Sequence, residues 1–181
     1  MPETERMTLR RTNWPDVDDV AAMNAARGGH PVGNMSATVA HVLSEEMPRL
    51  MAHNRRDDQL GSWVARDRST GSFLGWFTVR PIDSPVRTVE LSYRLVDRTR
   101  GQGYDVEGAL RMIAMARDAQ VATVVASALP DDIGFDEVME QAGLRRHRTV
   151  PMDATLATEL GEDPQAPVAG DYSLDLGAVS V

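Results

Sequence analysis

From Met7 to Arg10 the chain alternates apolar and polar residues, the period of a strand with one buried face. Asn13-Trp14-Pro15-Asp16 interrupts the run with a turn and helix-start composition. From about Asp16 to Ala26 the spacing becomes helical, with Val17, Val20, Ala21 and Met23 or Asn24 on one stripe and Gly28-Gly29 closing it. A loop through Pro31 and Gly33 leads to Ser36, a cap for a second helix carrying Val39, Val42, Leu43, Met47, Leu50 and Met51. Pro48 must kink that helix or divide it in two.

The period then shortens. Ser62 to Asp67 and Ser72 to Arg80 read as two strands joined by Arg68-Ser69-Thr70-Gly71, a hairpin turn whose glycine accepts positive φ. After a loop from Pro81 to Pro85, Thr88 to Val96 alternates Val89, Leu91, Tyr93 and Leu95 with Glu90, Ser92 and Arg94, so one face is apolar and the other is free to carry chemistry. Arg98-Thr99-Arg100-Gly101-Gln102-Gly103-Tyr104 follows, and then a helix from about Asp105 to Gln120 on the stripe Val106, Ala109, Leu110, Ile113 and Ala116 or Arg117. Thr123 to Leu129 is a short β-branched strand, and Phe135 to Ala142 a short helix ended by Gly143. Two late strands, Leu144 to Val150 and Asp171 to Leu176, flank a long polar loop from Pro151 to Gly170.

A length of 181 residues fits one domain spanning 1–181, and 42% hydrophobic with 25% charged residues is a globular composition. The net charge of −8 lacks the footprint of a nucleic-acid binder or of a protein held on anionic membranes, and it suits a cationic or neutral partner. Every one of the 19 basic residues is arginine, which removes lysine nucleophiles, and the absence of cysteine removes disulfides and thiolate chemistry. The N-terminus is polar and no apolar run is long enough to span a bilayer, so the expectation is a cytoplasmic protein.

Two glycines and an arginine between a strand and a helix make a loop whose amides converge on an anion at the helix N-terminus. It is neither a P-loop nor a dinucleotide fingerprint, and by itself it reads equally as a solvated turn. Taken with Glu90-Leu91-Ser92-Tyr93-Arg94-Leu95, Arg100 to Tyr104, Glu107-Gly108-Ala109-Leu110 and Val138 to Leu144, it resembles the GNAT superfamily of acetyl-CoA-dependent N-acetyltransferases. The resemblance is closest to the branch that includes the ribosomal-protein N-terminal alanine acetyltransferases, and it covers nearly the whole chain.

It implies an α+β fold: a mostly antiparallel central sheet of about seven strands, flanked by about four helices and splayed between the fourth and fifth strands. Acetyl-CoA, as co-substrate, is expected in that splay. Pantetheine would run beside Leu95 and Val96, and the pyrophosphate would lie at Arg100, Gly101, Gln102, Gly103, Tyr104 and Asp105. The family signature fits from Arg98 or from Arg100; only the second aligns Tyr104, Glu107 and Gly108 with the branch's usual continuation, and it leaves Asp105 where glycine or alanine is usual. Asp132 and Phe135 stand where the branch usually has asparagine and serine, and Met139 where the superfamily often has a tyrosine acid, which leaves Tyr93, Tyr104 or water to protonate the thiolate.

Acetyl transfer to an amine needs a base, alignment with the thioester, and an N–H donor for the oxyanion. Glu90 is the candidate base, acting directly or through water, with an ordinary surface ion pair as the other reading; amides around Tyr93 to Leu95 would serve the oxyanion. His30, His41, His53 and His147 show no metal spacing and none pairs with a serine motif, so no metal site is expected. Trp14, Trp63 and Trp76 read as core, and Met35, Met47 and Met51 as core or as the lining of an acceptor mouth.

The expected activity is therefore acetyl transfer from acetyl-CoA to a primary amine of a small molecule, peptide or protein N-terminus. The alternative is a catalytically degenerate GNAT-fold module for CoA binding or interaction. A third, weaker reading, a nucleotide-phosphate enzyme, lacks metal-binding carboxylates at recognisable spacing. Dimers are common in the family, so the resemblance leaves a homodimer possible, but neither the oligomeric state nor the acceptor is legible in the sequence.

Overall fold

The alternation that opens the chain forms β1 (Met7–Arg11), and the later period-two runs form β2 (Gly61–Asp67), β3 (Phe73–Pro81), β4 (Thr88–Leu95), β5 (Thr123–Ser127), β6 (Arg145–Val150) and β7 (Ala169–Asp175). The helical stripes form α1 (Val17–Ala26), α2 (Met35–His41), α3 (Met47–Met51), α4 (Tyr104–Asp118) and α5 (Phe135–Gln141). The computed structural model describes residues 2–26, 35–52, 54, 60–82, 86–127, 134–150 and 169–177. The expected loop through Pro31 and Gly33, the strand end at Leu129, and nearly all of the Pro151 to Gly170 loop lie outside these residues.

Among the described residues the strands make one mixed sheet in the order β1-β2-β3-β4-β5-β7-β6, in which only β4 and β5 pair in parallel. Alternation sorts its two faces. On one, Leu9, Phe77, Val89, Leu91, Val124 and Tyr172 pack with Ile113 of α4 and Met139 of α5. On the other, Val64, Phe73 and Trp76 pack with Val20, Val42 and Met47 from the first helices. Each fully buried side chain of this kind contributes about 1.5–3 kcal/mol.

Asn13 caps the turn before α1 in a capping box with Asp16, as the start signal implies. Asp16 is buried, and the Arg10 and Arg66 guanidinium groups lie beside its carboxylate. Trp14, expected in the core, is instead 49% exposed, because the short 3-10 turn that it opens directs it outward. Pro48 acts through the backbone ahead of it: α2 runs into α3 through a π turn at Val42–Glu46, where the Met47 amide reaches back to the Val42 carbonyl. The wider turn takes up the proline's missing N–H and its bulky ring, so the helix continues instead of breaking. Ser36 falls inside α2 rather than at its start.

The α4 stripe is rotated from its expected phase. Ala109, Met112, Ile113, Met115 and Ala116 are buried, whereas Leu110 is exposed. Gly108 sets this phase: a Cβ there would lie 2.0 Å from the Phe77 ring, so the missing side chain lets α4 press directly onto β3.

Candidate active site

The splay is visible in the ladders. The parallel pairing of β4 with β5 has only three rungs, Thr88↔Thr123, Val89↔Val124 and Glu90↔Val125. Beyond them β4 continues along β3 to Gly75↔Leu95, and β5 continues along β7 to Ser127↔Asp171. The two arms therefore separate after Glu90, and Leu91 to Leu95 line one side of the opening. Leu95 is buried against the α4 side. The Val96 amide bonds the Leu74 carbonyl and its own carbonyl accepts from the Thr99 amide, while its side chain packs on the opposite face.

At the open end of β4, Asp97–Thr99 makes a 3-10 turn, and Gly101 and Gly103 follow with φ of +70° and +75°. Only glycine takes this left-handed backbone routinely, and Gly103 caps α4 without a side-chain bond. The amides of Tyr104 and Asp105 fall in the first turn of α4, where no intrahelical acceptor exists. The sequence thus builds an anion-receptive helix end at the mouth of the splay.

The side chains around this loop divide into props and exposed charges. Arg98 donates to the Phe73 carbonyl on β3, and Gln102 Nε2 donates to the Arg98 carbonyl at 2.5 Å. Arg100 is exposed, 3.1 Å from Asp97 Oδ1. Asp105 Oδ1 accepts the Val106 amide at 2.9 Å, so its carboxylate is turned onto the first helical turn.

Arg6, which the sequence shows only as part of a polar start, is the central prop. Its amide donates to Glu107 Oε1 at 2.9 Å, its Nε to Glu107 Oε2 at 2.7 Å and its Nη1 to the Gln102 carbonyl at 2.8 Å, and its guanidinium lies 4.3 Å from the Tyr104 ring centre. Burial alone raises the Glu107 carboxyl, but hydrogen bonds from Thr4 and from Arg6 outweigh it and hold the group below its ordinary value. The Tyr104 hydroxyl donates to Asp67 Oδ2 at 3.0 Å, which raises the phenol. The Ser69 hydroxyl, the Thr70 amide and Tyr104 together hold Asp67 well below the usual carboxylate range. Tyr104 is thus engaged as an anchor to the β2–β3 hairpin.

Glu90, Ser92 and Arg94 lie on the β4 face away from α4 and α5. Glu90 is partly buried and forms an ion pair with Arg80 of β3, and Ser92 Oγ is 2.6 Å from Thr78 Oγ1. The candidate base therefore stands at the last rung before the splay, and its carboxylate is shared with a guanidinium. On the α4 side, Phe135 stacks on Tyr93 with ring centres 5.6 Å apart and meets Tyr172 edge-on at 6.0 Å. This aromatic row runs from the β4 arm to the β7 arm. Burial, and then the adjacent Asp136, push the Tyr172 phenol up to about 12. Met139 is fully buried in the core, and Asp132 lies outside the described residues.

His147 Nε2 and Ser173 Oγ are hydrogen-bonded, although nothing in the spacing pairs them. The cause is a bulge: the register of β6 on β7 shifts between Arg146 and Arg148, leaving His147 as the extra residue with a redirected side chain. His41 is exposed, and His30 and His53 lie outside the described residues. Among the described residues no group of three metal-ligating side chains is placed to hold an ion, and no helix is long and apolar enough to cross a membrane.

Among curated proteins, none matches this sequence. Among solved structures, a GNAT-family acetyltransferase from Bacillus anthracis is similar over 96% of each chain, with a TM-score of 0.73 at 13% identity. A Vibrio cholerae protein provisionally assigned as a ribosomal-protein-serine acetyltransferase is similar over 96% of this chain and 95% of its own, with a TM-score of 0.66 at 13% identity. Spermidine N-acetyltransferase from Vibrio cholerae, in complex with CoA and spermine, is similar over 94% and 95%, with a TM-score of 0.69 at 12% identity. At such identities the likeness speaks for the fold. The family itself follows from sequence: residues 6–145 match the acetyltransferase (GNAT) domain, a span that holds β1, the splayed β4 and the glycine loop, and the chain belongs to the GNAT acetyltransferases.

Proposed function

We propose that the chain transfers the acetyl group of acetyl-CoA to a primary amine of a small molecule, peptide or protein N-terminus by direct attack of the amine on the thioester. The observation that carries this is the end of the β4–β5 ladder at Glu90↔Val125, with the Gly101 and Gly103 loop at the mouth of the opening. In this reading the pyrophosphate sits at the backbone of Gly101 to Asp105, with the exposed Arg100 as a neighbouring cation, and pantetheine runs beside Leu95 along the β4 arm. Val96 contributes apolar contact, since its amide is turned to β3. Glu90 receives a proton from the acceptor ammonium, directly or through water.

Two observations support the reading. The helix end is rich in amides, and Arg6, Glu107 and Asp67 hold it in shape before any ligand arrives, which lowers the ordering cost of binding. The structurally similar spermidine acetyltransferase holds CoA and spermine, which makes small cationic amines the first acceptors to try. The ribosomal-protein branch and a homodimer belong to the same proposal; light scattering checks the second.

Thermal melting with CoA, acetyl-CoA and ATP is the first test: a rise with the two CoA ligands and not with ATP is expected, since a ligand selective for the native state stabilises by mass action. Thiol release with a panel of amines then reads turnover. Glu90→Gln is expected to lower kcat at least tenfold while CoA affinity holds. No melting shift and no calorimetric heat at millimolar acetyl-CoA would remove the cofactor from the reading.

A second reading, a GNAT-fold module that binds CoA without turnover, is favoured by Phe135, whose ring lies on Tyr93 where the family places a polar side chain. CoA binding without thiol release across the amine panel would select it.

A further inference from the structure

The register of the sheet sets a second polar group on the same row as Glu90. Glu90 of β4 pairs with Val125 of β5, and Val125 pairs with Ser173 of β7. The neighbours Val89, Val124 and Tyr172 are buried on the α4 and α5 side, so Glu90, Val125 and Ser173 share the opposite face. Glu90 and Ser173 flank Val125 across two strand spacings, roughly 10 Å. Arg145 of β6 pairs with Ser173 at the end of this row, and His147, the extra residue of the β6 bulge, is hydrogen-bonded to the Ser173 side chain. Val125 and Ser173 are only partly buried and His147 is exposed, so the row is open to solvent.

We infer that His147 is a base of the acetyl transfer, reached through the hydroxyl of Ser173, which relays the proton to it. The inference deepens the proposed activity and rests on it. A primary amine seated over Val125 lies between Glu90 and His147. Glu90 already shares its carboxylate with Arg80, whereas imidazole is the side chain most often used to move a proton at neutral pH.

With the Ser173 hydroxyl donating to Nε2, Ser173 Oγ accepts a proton from the acceptor ammonium as it passes its own to the imidazole. The neutral amine then forms the C–N bond to the thioester carbonyl carbon, and the C–S bond breaks with its electron pair going to sulfur. The second nitrogen proton leaves to water, and the imidazolium returns its proton to the thiolate. The products are the amide, CoA thiol and one proton released to solvent. Glu90 acts beside His147: it attracts the ammonium to the row and receives the second nitrogen proton on its way to water.

The test uses the full chain with an amine that the wild type acetylates. His147→Ala is expected to lower kcat about a hundredfold with CoA affinity unchanged, and added imidazole is expected to restore a measurable part of the rate. Ser173→Ala is expected to cost about tenfold, with Ser173→Thr recovering most of it. His147→Gln, with a melting temperature equal to wild type, keeps the result independent of folding. Turnover of His147→Gln within twofold of wild type, or loss in His147→Ala with no rescue by imidazole, overturns the inference while leaving the acetyltransferase reading intact. A wild type inactive with every amine overturns that reading first and this inference with it.

Discussion

Arg6 Nε lies 2.7 Å from Glu107 Oε2, joining the residue before β1 to the first turn of α4 across 101 residues of chain. The same guanidinium reaches the Gln102 carbonyl, so one side chain fixes both the helix and the glycine loop ahead of it.

Replacing Arg6 by alanine is therefore expected to loosen the loop without touching its amides. The Arg6 side chain is 41% exposed, so a charged hydrogen bond is discounted here to about 1 kcal/mol, roughly a fivefold rise in the CoA Kd by isothermal titration. An unchanged Kd would make Arg6 a prop of the fold alone.

Asp67 gives a pH dependence of defined sign. Its carboxyl is held below its unfolded value, so its contribution to stability is complete above about pH 5 and is lost as pH falls through the lower folded value. Asp67→Asn should melt a few degrees below wild type at pH 6, and the gap should begin to narrow as pH falls below about 4. Tyr104, raised by the same hydrogen bond, works from the other end: Tyr104→Phe should differ most below pH 10, with the gap closing as the medium becomes more alkaline. Melting curves across pH check both, and a gap that is constant with pH would separate the pair from the fold's stability.

How much of this was written in the sequence depends on the range over which each signal acts. Local period placed the seven strands and the order strand, glycine loop, helix, because alternation and turn chemistry are decided within a few residues. The phase of α4 was not local. Leu110 belongs to an apolar stripe by spacing, yet Gly108 seats on Phe77, a residue of a different strand, and turns Leu110 outward. Arg6, Asp67 and Ser173 were missed for the same reason. Each gains its role only through a partner on another element, 101 residues away for Arg6 and Glu107, 37 for Asp67 and Tyr104, and 26 for His147 and Ser173. Glu107 was flagged through the family motif, but nothing in Thr4-Glu5-Arg6 marks its partner.

The seat of Gly108 on Phe77 is itself testable. An alanine Cβ at 2.0 Å from the Phe77 Cζ atom cannot be accommodated without a shift of helix or ring, and overpacking of this kind costs about 1–3 kcal/mol. Gly108→Ala is expected to lower the chemical-denaturation midpoint, and Phe77→Leu in the same chain to recover part of the loss, since the two residues share one contact. Strict additivity of the two losses would place the strain elsewhere.

Asp105 poses the sharpest question about the loop, because its carboxylate does two opposing things at one helix end. It accepts the Val106 amide and lies where a negative charge favours the helix dipole, so its loss should cost the helix about 0.5–1 kcal/mol. The same charge stands beside the proposed diphosphate position, and in water-like surroundings a neighbouring like charge costs on the order of 1 kcal/mol. The carboxylate also occupies an amide that an anion would otherwise share. For folding the first effect decides, and for binding the second. Asp105→Ala should therefore melt slightly lower without ligand yet bind CoA more tightly, by about tenfold or less, with the gain larger at low salt where screening is weaker. Titration at two salt concentrations reads both. Weaker binding by the variant at either salt would mean that the carboxylate orders the loop for the diphosphate instead of opposing it, and the case for a degraded site would lose this residue.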